Sequence, residues 1–140
     1  MTSRPVILCI DDDPDDREMV RDVLQATDAR FHIVEAGDGR EALDYLRSKE
    51  GLANLPCLII LDMNMPRLSG RETLAILKSE SDTEAIPVVV FTTSNAHTDR
   101  SFCSRFGVEM ITKPATYDAL RTVIQRFVSQ MALPYLNATS

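Results

Sequence analysis

Five residues able to do phosphoryl and metal chemistry stand at the ends of separate apolar runs. Asp11 and Asp12 follow VILCI, Asp62 follows CLIIL, Thr92 follows VVVF, and Lys113 precedes Pro114. Carboxylates brought close together repel by roughly 1 to 4 kcal/mol per pair at surface dielectrics, a conflict that a hard cation resolves. A few carboxylates, a main-chain carbonyl and retained waters make a usual magnesium site. Beside such an ion, Asp62 has the chemistry of a nucleophile toward a phosphoryl group. Lys113 can pair with a phosphoryl oxygen, and Thr92 can donate a hydrogen bond to the same group.

The elements must then gather these ends. Val6 to Ile10 reads as a strand, and Pro14 marks the first turn of a helix that puts Met19, Val20, Val23 and Leu24 on one face and stops near Thr27. Phe31 to Glu35 mixes apolar and polar residues as an edge strand does. Asp38-Gly-Arg-Glu41 then opens a helix as a capping box, with Ala42, Leu43 and Leu46 inward. After a loop through Pro56 come the strand Cys57 to Leu61, a second capping box at Ser69-Gly-Arg-Glu72, and a helix with Leu74 and Leu77 inward. Val88 to Phe91 is the fourth strand, Phe102 and Phe106 belong to the fourth helix, and Val108 to Thr112 is a short fifth strand. The last helix carries Leu120, Val123, Ile124, Phe127, Val128 and Met131 at helical spacing.

Apolar runs without polar alternation are strands covered on both faces, and strands alternating with helices imply right-handed crossovers in a parallel sheet. The expected fold is α/β, a flavodoxin-like, doubly wound five-stranded sheet of order 2-1-3-4-5 with five helices. In such sheets ligands bind beyond the carboxyl ends of the strands, at the switch point between strands one and three. Asp11, Asp12 and Asp62 should converge there.

The composition narrows the function. A chain of 140 residues, 44% apolar and 26% charged, fits one globular domain and leaves no room for a second, output domain. The net charge of −6, with Asp11, Asp12, Asp13, Asp15 and Asp16 clustered, repels a phosphate backbone, so no nucleic-acid partner is expected. Cys9, Cys57 and Cys103 lack metal-type spacing and read as reduced core residues of a cytoplasmic protein. MTSRP has no hydrophobic signal core, and no apolar run approaches the roughly 20 residues that span a bilayer, so no membrane association is expected. His32 and His97 are isolated from any nucleophile or metal cluster.

Rival chemistries fail at particular residues. Asp11, Asp13 and Asp15 have the opening spacing of an EF-hand calcium loop, but Asp16 stands where glycine is needed and Asp22 where glutamate is. Asp13, Asp15 and Asp16 are instead expected to favour the dipole of the helix they begin. A haloacid-dehalogenase-type phosphatase needs an acid two residues past its nucleophile, where Asn64 stands, and a toprim-type site needs paired acids at Asp62 and Asn64.

In this order the motifs resemble the receiver domains of bacterial two-component response regulators, from about Val6 to about Val128. Asp11-Asp12 resembles the family's metal-binding acid pair. Asp62-Met63-Asn64-Met65-Pro66 with Gly70 resembles its phosphoacceptor segment, Thr92 its switch hydroxyl and Lys113-Pro114 its lysine-proline step. The narrower likeness is to stand-alone receivers partnering phytochrome-type or hybrid histidine kinases, suggested by IPVVVFTTS, the loops Arg47 to Pro56 and Ser79 to Ile86, and the short tail.

The resemblance implies transfer of a phosphoryl group to Asp62 from a histidine kinase or histidine phosphotransfer protein. Magnesium would be bound by Asp12 directly, by Asp11 through water, and by Asp62 and the Asn64 carbonyl. It implies a cis Lys113-Pro114 peptide, and a phosphoacceptor that assists its own phosphorylation and autodephosphorylation rather than an enzyme in the ordinary sense. Asn64 and Ser94 would flank the hydrolytic water. The receiver would occupy residues 1–131 and a tail 132–140, with output through a downstream protein target and a homodimer through the fourth helix, fifth strand and fifth helix, near His97, Phe102, Phe106 and Tyr117. The family's switch aromatic, three residues before the lysine, is here Met110. The alternative is a receiver-like interaction module that is never phosphorylated.

Overall fold

A computed structural model describes residues 4–138. Strands β1 (Val6–Ile10), β2 (His32–Ala36), β3 (Leu58–Leu61), β4 (Val88–Thr92) and β5 (Glu109–Thr112) form one parallel sheet in the order β2-β1-β3-β4-β5, as expected. Five helices of nine or more residues fill the crossovers and the C-terminal side: α1 (Pro14–Thr27), α2 (Gly39–Arg47), α4 (Gly70–Ser79), α5 (His97–Arg105) and α6 (Tyr117–Met131).

Two short helices correct the expected count of five. Within the segment read as a loop, α3 (Lys49–Ala53) starts on Ser48, whose hydroxyl accepts the Gly51 N–H at 3.1 Å. In the segment read as a tail, α7 (Leu133–Ala138) packs Leu136 into the core. Helices of five and six residues are too short for a 3.6-residue period to show. Residues 1–3 and 139–140, the outer ends of the expected receiver and tail, lie outside the described residues.

Alternation along the strands sends successive side chains to two cores. Ile7 and Cys9 of β1, Ile60 of β3 and Phe91 of β4 meet α1, α6 and α7 through Val23, Leu24, Ile124, Phe127 and Leu136. Leu8, Ile10, Ile59, Leu61 and Val90 meet α2, α4 and α5 through Leu43, Leu46, Leu74, Leu77 and Cys103. The absence of polar alternation in β1, β3 and β4 thus has its expected cause, while β2 at the edge is only partly buried. On the other edge, Arg100 Nη1 donates to the Met110 carbonyl of β5 at 3.1 Å. Arg4 Nη2 bonds the Phe31 carbonyl at 2.9 Å just before β2.

The caps hold the helix starts where the site needs them. Asp13 caps α1 by accepting the Asp15 and Asp16 N–H groups, and Ser69 with Glu72 makes the full capping box of α4. At α2 the expected box is half formed: Asp38 accepts the Glu41 N–H at 2.9 Å, but the Glu41 carboxylate reaches the Gly37 N–H instead. Arg67, at φ 63°, pairs with the Asp38 carboxylate and so ties the loop after β3 to the start of α2.

Gly70 sets the approach of α4 to β3. A Cβ there would lie 2.3 Å from the Asp62 carbonyl oxygen and 2.5 Å from Met63 Cα, both backbone. Gly70→Ala should therefore lower stability by about 2 kcal/mol, read as a reduced urea midpoint at unchanged slope.

Candidate functional site

Parallel register builds the site. Ile10 is aligned with both Ala36 and Leu61, so the next residues of β1 and β3 emerge side by side. The Asp11 N–H bonds the Ala36 carbonyl at 3.1 Å, and the Asp62 N–H bonds the Ile10 carbonyl at 2.9 Å. Each of Asp11, Asp12 and Asp62 brings a carboxylate oxygen within 4.8 Å of the others, Asp12 being exposed and its two companions buried. This is the convergence expected from the strand ends.

Across the sheet, Thr92 is aligned with Thr112, and the Lys113 N–H continues the ladder to the Thr92 carbonyl at 2.7 Å. The lysine side chain, 8% exposed, passes Phe91 with its ammonium 5.9 Å from the ring centroid. It ends 2.6 Å from Asp11 Oδ2 and 2.9 Å from Asp16 Oδ2. Burial by itself would lower the Lys113 pKa, but hydrogen bonds to Asp11 and Asp16, helped by the Asp62 charge, hold it above the ordinary lysine value. Burial raises Asp11 above the usual carboxylate range against the pull of that lysine.

Asp62 is 7% exposed. Its Oδ1 accepts the Met63 N–H at 2.8 Å. Its Oδ2 has no hydrogen bond among the described residues and is not sealed from solvent. Asp62 therefore keeps one carboxylate oxygen uncommitted beside Asp11 and Asp12. Thr92 is fully buried, and its hydroxyl oxygen accepts the Ser94 N–H at 3.3 Å.

Several details depart from expectation. The Lys113-Pro114 peptide is trans, as no described peptide bond is cis. The isomers of an X-Pro bond differ by only about 0.5 to 1 kcal/mol, and the sequence carries no marker that decides between them. Asp16, a first-turn acid of α1 as read, is also a second anchor for Lys113. Arg17 also joins the site, its Nη1 donating to the Asp11 carbonyl at 2.6 Å. Asn64 is exposed at the mouth, whereas Met110 is buried in the core with Phe102 and Phe106 packed nearby.

The donor set fits a hard divalent ion. Four carboxylates, Asp11, Asp12, Asp16 and Asp62, face a single ammonium, and three of them are close enough to share one ion through oxygen alone. Softer ligands are excluded locally. Cys9, behind Asp11 on β1, is buried, and burial with the Asp11 and Glu35 charges pushes its thiol up to about 12.

Comparison with known proteins settles the relationship. The family model of the response regulator receiver domain matches residues 7–125. The chain belongs to the response regulator receiver domain family. Response regulator Rcp1 of Synechocystis sp. is 38% identical over 96 residues, which cover 67% of this chain and 65% of Rcp1's length. The crystal structure of the phosphorylated cyanobacterial phytochrome response regulator RcpA superposes with a TM-score of 0.85 at 31% identity, covering 91% of this chain and 94% of that one. The manganese-bound form of Rcp1 superposes with a TM-score of 0.82 at 32% identity, covering 91% and 95%. As a receiver, the chain shares its fold with proteins seen both phosphorylated and metal-bound. No helix among its described residues is long and apolar enough to cross a membrane.

The Lys113–Asp11 pair gives the site a checkable energetic signature. Lys113→Met should cost about 3 kcal/mol in urea unfolding, because it strands a buried carboxylate. Adding Asp11→Asn should restore much of that loss.

Proposed function

We propose that this chain is a phosphoacceptor receiver whose nucleophile is Asp62. The observation that carries the reading is the uncommitted Asp62 Oδ2 beside the carboxylates of Asp11 and Asp12, with the Lys113 ammonium on Asp11. Attack of that oxygen on the phosphorus of a phosphohistidine protonated on its other ring nitrogen forms an acyl phosphate and breaks the N–P bond, and the bond's electron pair stays on the histidine, which leaves as a neutral imidazole. The donor is a histidine kinase or histidine phosphotransfer protein. Asp12 directly, Asp11 through water, and Asp62 with the Asn64 carbonyl would hold magnesium, which when bound would neutralise the phosphoryl oxygens. Thr92 donates its hydroxyl to the phosphoryl group, and Lys113, already beside Asp11, pairs with another oxygen. Asn64 and Ser94, both polar, leave hydrolysis of the acyl phosphate open, so the chain assists its own dephosphorylation.

Exposure to a small phosphodonor with magnesium should add one phosphoryl group by intact-mass spectrometry, and Asp62→Asn should abolish the gain. No gain with any donor points instead to a passive interaction module. In calorimetry, magnesium should give a binding heat that Asp12→Ala removes.

Output to a downstream protein runs through the face of α5, β5 and α6, where Tyr117 is 52% exposed and Phe102 and Phe106 are half-buried. The same face is proposed to pair two copies. Light scattering should show a dimer whose population rises with beryllofluoride; a monomer at high concentration in both states counts against the pairing.

A further inference from the structure

Beyond Thr92 a polar relay leaves the pocket that no motif announced. The Ser94 N–H donates to Thr92 Oγ1 at 3.3 Å, so the oxygen of the threonine hydroxyl is engaged while its proton remains available to donate. Ser94 in turn is held by its side chain. Its Oγ donates to Asp99 Oδ2 at 2.7 Å and accepts the Ala96 N–H at 3.2 Å.

The carboxylate that orients Ser94 is itself fixed. Arg71, the second residue of α4, donates Nε to Asp99 Oδ1 at 2.8 Å, with Nη2 2.7 Å from the same oxygen. The Arg71 guanidinium lies 5.0 Å from the centroid of the Phe102 ring, which also carries Arg105 at 5.2 Å and packs on Phe106 at 5.2 Å. Asp99 is thus held through both oxygens, and the Ser94 hydroxyl followed by Arg71 keeps its carboxyl below the usual range despite partial burial. On the opposite side of the loop, Thr112 Oγ1 reaches the Ser94 carbonyl at 3.4 Å. Arg71 follows Gly70, the residue pressed against the Asp62 backbone. The relay therefore joins the two segments that flank the phosphoacceptor, the start of α4 and the loop after β4.

We infer that Asp99 is a positioning residue for the Thr92 hydroxyl, acting through Ser94 and anchored by Arg71. Its work is done before any ligand arrives: it fixes Ser94 so that the amide engages the threonine oxygen, leaving the hydroxyl proton free to be donated to an anionic group on Asp62. A donor oriented in advance binds more tightly than one that must be ordered on binding. The inference rests on the reading of Asp62 as phosphoacceptor and adds a residue outside the motifs that carry that reading.

Beryllofluoride with magnesium, titrated onto the full chain and followed by fluorine NMR, tests it without turnover. Asp99→Ala and Ser94→Ala should each weaken binding by about two- to tenfold, the range of one lost hydrogen bond. The double variant should be no weaker than either single one. In a Thr92→Val background Asp99→Ala should have no further effect. Ser94→Ala leaves the Arg71–Asp99 pair in place, so it answers the question even where loss of Asp99 harms folding. An equal loss from Asp99→Ala with and without the Thr92 hydroxyl would show a merely structural role and overturn the inference, as would unchanged affinity in both single variants. Failure of the unaltered chain to bind beryllofluoride would instead remove the Asp62 reading, and this inference with it.

Discussion

Crowded negative charge is the constraint around which this molecule is organised. Parallel pairing of β1 with β3 forces Asp11 and Asp62 out at the same level, and Asp12 follows on the next residue. The fold answers with one buried cation brought from the far edge strand, Lys113, whose ammonium lies between Asp11 and Asp16. A single ammonium cannot neutralise four carboxylates, so the pocket retains a demand for positive charge. That unsatisfied demand is what suits the carboxyl end of the sheet to a divalent ion.

Contacts around the pocket hold that arrangement in place. Gly70 lets α4 press on the Asp62 backbone, Arg67 ties the loop after β3 to the N-cap of α2, and Arg17 holds the Asp11 carbonyl. None of these contacts touches the free oxygen of Asp62. They restrict the backbone on each side of it, as a site held within a fraction of an ångström requires. The two cores below, one under α1 and α6 and one under α2, α4 and α5, fix the strands against which all of this is measured.

Residues whose placement follows from strand ends are legible in the sequence. VILCI, CLIIL and VVVF announce buried strands, and whatever follows them must lie at the carboxyl edge, which is why Asp11, Asp62 and Thr92 could be read together. Side-chain reach was not legible. Asp16 and Asp15 look alike in sequence, yet only Asp16 meets Lys113, because the turn of α1 decides which acid faces the pocket. Arg71 and Asp99 are 28 residues apart and each looks like a solvated charge until α4 and α5 are packed side by side. The short helices α3 and α7 and the trans Lys113-Pro114 bond escaped for a different reason: their preferences are too small or too local to leave a pattern.

The arginines on the sheet margins bear on whether a further strand can join the sheet. An open parallel sheet offers main-chain groups at both rims, and another chain can lengthen the sheet by pairing with them. Here Arg100 occupies an outward carbonyl of β5, and Arg4 occupies the carbonyl that leads into β2. A strand adding to either rim would first have to displace the arginine from that carbonyl, so each guanidinium raises the cost of lengthening the sheet at its own edge.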